Sequence, residues 1–191
     1  MKLILASSSP RRQALLSELG VPFEVLPSDL PELWPEGPPE RAVESLALMK
    51  ARAVASRLPA GIVLGADTAV FLGGEVFGKP RDPDDARRML RRLRERTHQV
   101  ITGLALVEAG GRRETVTSVS TDVTMRSYDD AEIERYIRSG EPFDKAGAYA
   151  IQGEGGALVA RVEGCYTNVV GLPLSTTRRL LESWGVLKPE A

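Results

Sequence analysis

What the sequence holds little of narrows the field first. It has one cysteine, Cys165, and one histidine, His98, among 191 residues. A lone cysteine excludes an internal disulfide, and with its only histidine far along the chain it reads as a small packed residue, not a catalytic thiol. His98 has no metal-ligand spacing around it and reads as structural. Aromatic residues make up 5% of the chain and the formal net charge is −1. That leaves neither the basic field nor the stacking platforms that nucleic-acid binders use. No apolar run approaches the roughly 20 residues needed to cross a bilayer. Met1-Lys2 leads straight into a short apolar stretch with no signal-peptide pattern, so a cytoplasmic protein is expected, with neither nucleic acid nor membrane as partner. Two phosphate-binding signatures are missing as well, the Gly-x-x-x-x-Gly-Lys-Ser/Thr loop and the glycine fingerprint of dinucleotide folds.

What remains is ordinary for a soluble globular chain: 42% hydrophobic and 27% charged residues, in a length that suits one domain. Strands are expected over 2–6, 23–26, 61–66, 69–72, 75–77, 99–108, 113–125, 158–162 and 168–171. Helices are expected over 10–19, 39–58, 83–96, 127–139 and 174–184. Gly73-Gly74 signals a hairpin, and the proline-rich, acidic stretch 27–39 reads as a loop. Strands and helices alternate with hairpins mixed in. The fold class is therefore α/β: a mixed twisted sheet flanked by helices, forming two lobes with a central cleft in a single domain over 1–191.

The most informative run is Ser7-Ser8-Ser9-Pro10-Arg11-Arg12. A strand ends, hydroxyls follow, and a helix opens. Ser9 is a good N-cap and Pro10 suits the first helical position. A helix N-terminus attracts anions, yet Arg11 and Arg12 crowd it. A polyphosphate would compensate for that repulsion; the plain alternative is that both arginines point to solvent.

Four further positions carry chemistry. Asp67 follows a buried strand at its carboxyl end, where ligands of α/β sheets bind, although an aspartate there can also cap a turn. Lys79 is presented on the restrained backbone before Pro80, as a point charge for phosphate or as a surface turn residue. Lys50 interrupts an apolar helix face, so it either snorkels outward or faces a charged ligand. Gln152, within Ala146–Gly156, offers both donor and acceptor to a base edge, or belongs to a glycine-rich turn. The arginines of the 83–96 helix read as a solvated face around Met89, Leu90 and Leu93.

Taken together, Ser7–Arg12, Leu64–Thr68, Gly78-Lys79-Pro80, Asp144–Tyr149 with Ile151-Gln152-Gly153, and Val170–Leu174 resemble the Maf family of nucleoside triphosphate pyrophosphatases over nearly the whole chain. The resemblance implies an inosine triphosphatase-like fold. It also implies cleavage of a nucleoside triphosphate to monophosphate and pyrophosphate with a divalent metal, Mg²⁺ or Mn²⁺. By the same resemblance Asp67 is the proton acceptor and Ser7, Arg11, Lys50 and Lys79 hold the phosphates. Glu32 and Asp67 bind the metal; Pro31-Glu32 supplies one carboxylate where the family often has two, so Asp29 is the fallback. Arg12, Thr68 and Gln152 match the dTTP/UTP branch, which makes dTTP, UTP and other or modified pyrimidine nucleotides the substrates. A homodimer is the family-level expectation. The alternative is a nucleotide-sensing regulator of cell division that uses the same cleft without catalysis.

Overall fold

The computed structural model describes residues 2–30 and 34–189. Strands β1 (Leu3–Leu5), β2 (Phe23–Val25), β3 (Gly61–Leu72), β4 (Glu75–Phe77), β5 (Thr97–Ala109), β6 (Glu114–Met125) and β7 (Val159–Glu163) form one seven-stranded mixed sheet. Its order is β2-β1-β3-β5-β6-β7, with β4 paired to β3. Helices α1 (Pro10–Ser17), α2 (Pro39–Ala55), α3 (Pro83–Leu93), α4 (Asp130–Arg138), α5 (Tyr166–Val170) and α6 (Leu174–Ser183) complete the fold. The expected α/β class with a mixed sheet holds. The chain divides into two compact units, one of Met1–Asp67, Thr102–Val119 and Gly171–Ala191, the other of Thr68–Ile101 and Ser120–Val170.

In the first unit β1 runs parallel to both β2 and β3, with Leu3 opposite Phe23 and Ile62. α2 covers one face of this sheet. Ala47, Ala51 and Val54 of α2 pack with Ile4, Ala6, Val63, Ala105 and Val107. The helix sits so close that a Cβ on Gly65 would run into the Ala47 carbonyl and the Ala51 side chain, and one on Gly103 into the Val43 carbonyl. Gly65 and Gly103 are therefore spacers between backbones. At the unit's edge the Arg113 guanidinium stacks 4.1 Å above the Trp184 ring, a cation–π contact.

The second unit is built on the β3–β4 hairpin, in which Val70 faces Phe77 and Gly73 and Gly74 take φ of 59° and 84°. Two consecutive positive φ values are what a tight two-residue hairpin turn requires. Its core joins Phe77, Leu90, Leu93, Val123, Ile133 and Tyr149. The arginines of α3 are not simply solvated. Arg87 pairs with Glu134 and Asp84, Arg88 with Asp85 and Glu75, Arg92 with Glu75, and Arg91 and Arg94 with Asp130. Acidic neighbours thus neutralise the basic face within the same unit. α4 opens on a capping box between Asp129 and Glu132.

Several expectations are corrected. Asp67 does not follow a strand end, because β3 runs unbroken from Gly61 through Leu72. The expected strand over 168–171 is the end of helix α5 followed by a turn at Gly171: Asn168 donates to the Val100 carbonyl and to Thr121 Oγ1, which anchors α5. A short apolar run cannot by periodicity be told from a buried helical turn. α1, α2, α3 and α4 are each shorter than expected.

Two predictions follow from this packing. Gly65→Ala pushes two backbones apart and lowers stability by about 3 kcal/mol in urea titration, at the upper end of overpacking costs because backbone cannot yield. The second concerns His98, whose Nε2 shares a 2.8 Å hydrogen bond with the Tyr149 hydroxyl and whose Nδ1 has no hydrogen-bond partner among the described residues. Burial lowers its pKa from 6.5 to about 4. The unfolded chain then binds the proton more readily, so stability is intact above pH 6.5 and is lost as pH falls toward 4, by up to roughly 3 kcal/mol. In His98→Asn the unfolding free energy shows a flatter pH slope across that window.

Candidate active site

The first unit gathers charged side chains around the carboxyl end of β1. Ala6 donates its N–H to the Leu64 carbonyl, so projecting the parallel register onward sets Ser7 level with Ala66, one residue from Asp67. Ser7 itself is buried. Its hydroxyl oxygen accepts the Ser9 N–H at 3.3 Å and Arg12 Nη1 at 3.3 Å. Ser9 caps α1 by accepting the Arg12 N–H at 3.4 Å, with Pro10 at the first helical position. Arg12 is also held at its Nε, which donates to the Gly171 carbonyl at 2.9 Å. The guanidinium is therefore fixed from two sides beside the helix N-terminus instead of waving in solvent. Arg11, half-buried, follows Pro10 in the first turn. No acidic residue lies in that turn, so the positive end of the helix and two guanidinium groups share one place and favour an anion there.

Lys50 turns inward. It is 9% exposed on α2 and donates from Nζ to Asp67 Oδ1 at 2.5 Å. Asp67 is 7% exposed. Gly65 and Asp67 lie two residues apart and so share the face of β3 that α2 covers; the helix approach that Gly65 permits is what brings Lys50 to Asp67. By the same alternation Thr68 lies on the opposite face from Asp67, so the two adjacent residues do not present their side chains together.

Lys79 and Gln152 belong to the second unit and are exposed. The Gly78 carbonyl accepts the Gly147 N–H at 3.1 Å, tying the lysine loop to the glycine-rich stretch. Glu32 lies outside the described residues. Asp29 adopts a positive φ of 53° with its carboxylate at the surface, 3.9 Å from Arg57, and does not join Asp67. Sequence reasoning missed the part played by the Gly171 carbonyl, which no local pattern ties to Arg12 across 159 positions.

Among the described residues no group of three or more His, Cys, Asp or Glu gathers to hold a metal. Asp67 offers a single carboxylate. That fits a magnesium-type site, since Mg²⁺ uses one or two carboxylates and takes its other ligands from substrate phosphates and water. It does not fit a zinc-type site of nitrogen and sulfur ligands.

The buried pair makes a quantitative test. Lys50→Ala leaves Asp67 charged and unpaired, and costs about 3–5 kcal/mol in denaturant unfolding. The double change Lys50→Met with Asp67→Asn removes both charges and recovers most of that loss. Equal destabilisation by the single and double variants would show that the pair is not coupled.

This arrangement can be set beside known proteins. The chain is 53% identical to a dTTP/UTP pyrophosphatase of Moorella thermoacetica, over 97% of this chain and 96% of the relative. It is likewise 53% identical to a dTTP/UTP pyrophosphatase of Myxococcus xanthus, over 98% and 94%. A solved dITP/XTP pyrophosphatase of Mycobacterium abscessus is 18% identical over 100% of both chains with a TM-score of 0.45, a likeness too weak to argue from. The Maf-like protein family matches residues 2–184. With the serine-capped arginine helix and the lysine-held aspartate in the positions that the match spans, the chain belongs to the Maf family.

Proposed function

We propose that this protein hydrolyses dTTP and UTP to the nucleoside monophosphate and pyrophosphate. The observation that carries the reading is the buried Asp67 held by Lys50, in the unit that also fixes Arg12 at an anion-attracting helix start. Relatives spanning nearly the whole chain bear the name of that activity.

In this reading the triphosphate tail settles on the N-terminus of α1. Ser7, Arg11, Arg12 and Lys50 neutralise its oxygens. Rigid guanidinium groups match phosphate geometry, and Arg12 loses little freedom on binding because Ser7 and Gly171 already hold it. Asp67 Oδ1 is committed to Lys50 in the absence of substrate, so Oδ2 takes the proton of the attacking water. Water adds to the α-phosphorus in line with the bond to the β-phosphate, and pyrophosphate departs. A divalent cation, Mg²⁺ or Mn²⁺, held by Asp67 with Glu32, would supply charge neutralisation at the phosphate oxygens. Gln152, with Thr68 of the same unit, selects the pyrimidine base. The setting is the cytoplasm, where nucleoside triphosphates are made.

A regulator that binds nucleotide without cutting it is not favoured. The relatives that match this chain at 53% identity are named as pyrophosphatases.

Incubation of the purified protein with UTP, dTTP and GTP in Mg²⁺, with products separated by chromatography, tests this. UMP and pyrophosphate from UTP are expected, with GTP a poor substrate. Release of UDP and phosphate would place the cut at the wrong bond. Asp67→Asn should lose about 10²–10⁴-fold in turnover, the usual worth of a general base; near-normal turnover would remove Asp67 from the chemistry.

A further inference from the structure

The loop that carries Gln152 is fastened by two side chains that the phosphate chemistry does not use. Tyr136 lies on α4, and Glu141 opens the short 3-10 turn Glu141–Asp144 that follows. The Tyr136 hydroxyl donates to Glu141 Oε1 at 2.9 Å and accepts the Ala150 N–H at 3.0 Å. Glu141 Oε1 also accepts the Gly155 N–H at 3.1 Å, and Oε2 accepts the Glu154 N–H at 2.9 Å. Three amides that bracket Gln152 on both sides thus converge on one tyrosine–glutamate unit.

The glycines of the loop fit this contact. A Cβ on Gly153 would strike the Glu141 carboxylate, and one on Gly155 the Tyr136 hydroxyl and the Ala150 carbonyl. Burial pushes the Glu141 carboxyl up, but the two amides, the Tyr136 hydroxyl and nearby Lys145 outweigh it and hold the group below its ordinary range. It therefore stays an ionised acceptor, and hydrogen bonds to a charged acceptor are about twice as strong as neutral ones. Gln152 itself is exposed. A fixed backbone with a free amide at its tip is what a base-edge reader requires, because the ordering of the loop is complete before ligand arrives.

We propose that Tyr136 and Glu141 are positioning residues for nucleobase selection, locking the 150–156 loop so that the Gln152 amide meets the donor and acceptor edge of uracil or thymine. This rests on the reading of Gln152 as the base contact.

Three measurements on the whole protein test it: hydrogen exchange of the 150–156 amides, the Kd for non-hydrolysable α,β-imido-UTP and α,β-imido-CTP, and steady-state kinetics with UTP. Glu141→Gln puts a donor against backbone N–H groups, and Tyr136→Phe removes the hydroxyl but keeps the ring. Exchange of the Glu154 and Gly155 amides should rise about tenfold in Glu141→Gln, as expected for losing a charged acceptor, and exchange of the Ala150 amide should rise several-fold in Tyr136→Phe, which loses a neutral one. The Kd and KM for the uridine nucleotides should rise about tenfold on the same ground, with kcat within about twofold. The preference for the uridine over the cytidine analogue should fall. Adding Glu141→Gln to Gln152→Ala should leave the Kd where Gln152→Ala puts it. Unchanged loop exchange in both variants, or an undiminished effect on Kd in the absence of Gln152, overturns the proposal. If Gln152→Ala alone binds both analogues as the unaltered protein does, base reading by Gln152 falls and the positioning role falls with it. If the unaltered protein binds the uridine analogue but cleaves no UTP, only the catalytic reading fails, and the Kd comparison still decides this one. Should Glu141→Gln not fold, Tyr136→Phe alone decides.

Discussion

Gly65 and Gly103 leave their Cβ space to the backbone of α2, and the geometry of the first unit hangs on that closeness. With a larger residue at either position the helix would stand off the sheet, because carbonyl groups do not yield as side chains do. Lys50 reaches Asp67 only because Ala47 and Ala51, on the same helix face, lie directly on the strands. The absence of a Cβ at Gly65 and at Gly103 therefore lets the helix approach closely enough for the ammonium to meet the carboxylate.

That pair works against stability and in favour of chemistry. Two ionised groups, each about a tenth exposed, have given up most of their water. Mutual attraction offsets that loss but seldom exceeds it, and apolar replacements are often as stable. A chain shaped for stability alone would have little reason to keep them. Charges held in low dielectric act strongly on whatever charged ligand enters, without having to reorganise. Arg12 follows the same logic, its guanidinium fixed by a serine hydroxyl and a distant carbonyl before any ligand arrives.

The second unit spends its charges differently. Its arginines face carboxylates at the surface, where each pair contributes little. Its ordering power lies in polar contacts: the buried pairs Asn168 with Thr121 and His98 with Tyr149, and the half-buried Tyr136–Glu141 unit under the 150–156 loop. The Tyr136–Glu141 unit, whose hydroxyl and carboxylate both have partners, fixes one arrangement of its loop as a satisfied network does. The loop is rich in glycine because that packing leaves no room for side chains at Gly153 and Gly155, a reason more specific than flexibility.

The sequence by itself determined the α/β class, the Ser9 cap with Pro10, the Gly73-Gly74 hairpin and the candidate residues, because these rest on local backbone preferences and on short motifs. It left Lys50 undecided between solvent and an inward charge, since helix periodicity places a residue on a face without saying what lies opposite. It misplaced Asp67 at a strand end, because Gly-Ala-Asp-Thr carries turn-like residues that pairing with neighbouring strands overrides. It made 168–171 a strand, because an Asn168 anchor to Val100 and Thr121 is invisible along the chain. The tertiary structure alone decided that Lys50 meets Asp67, that Gly171 holds Arg12, and that Tyr136 and Glu141 hold the Gln152 loop. Each joins atoms from separate segments, and such contacts follow from packing, which no local pattern records.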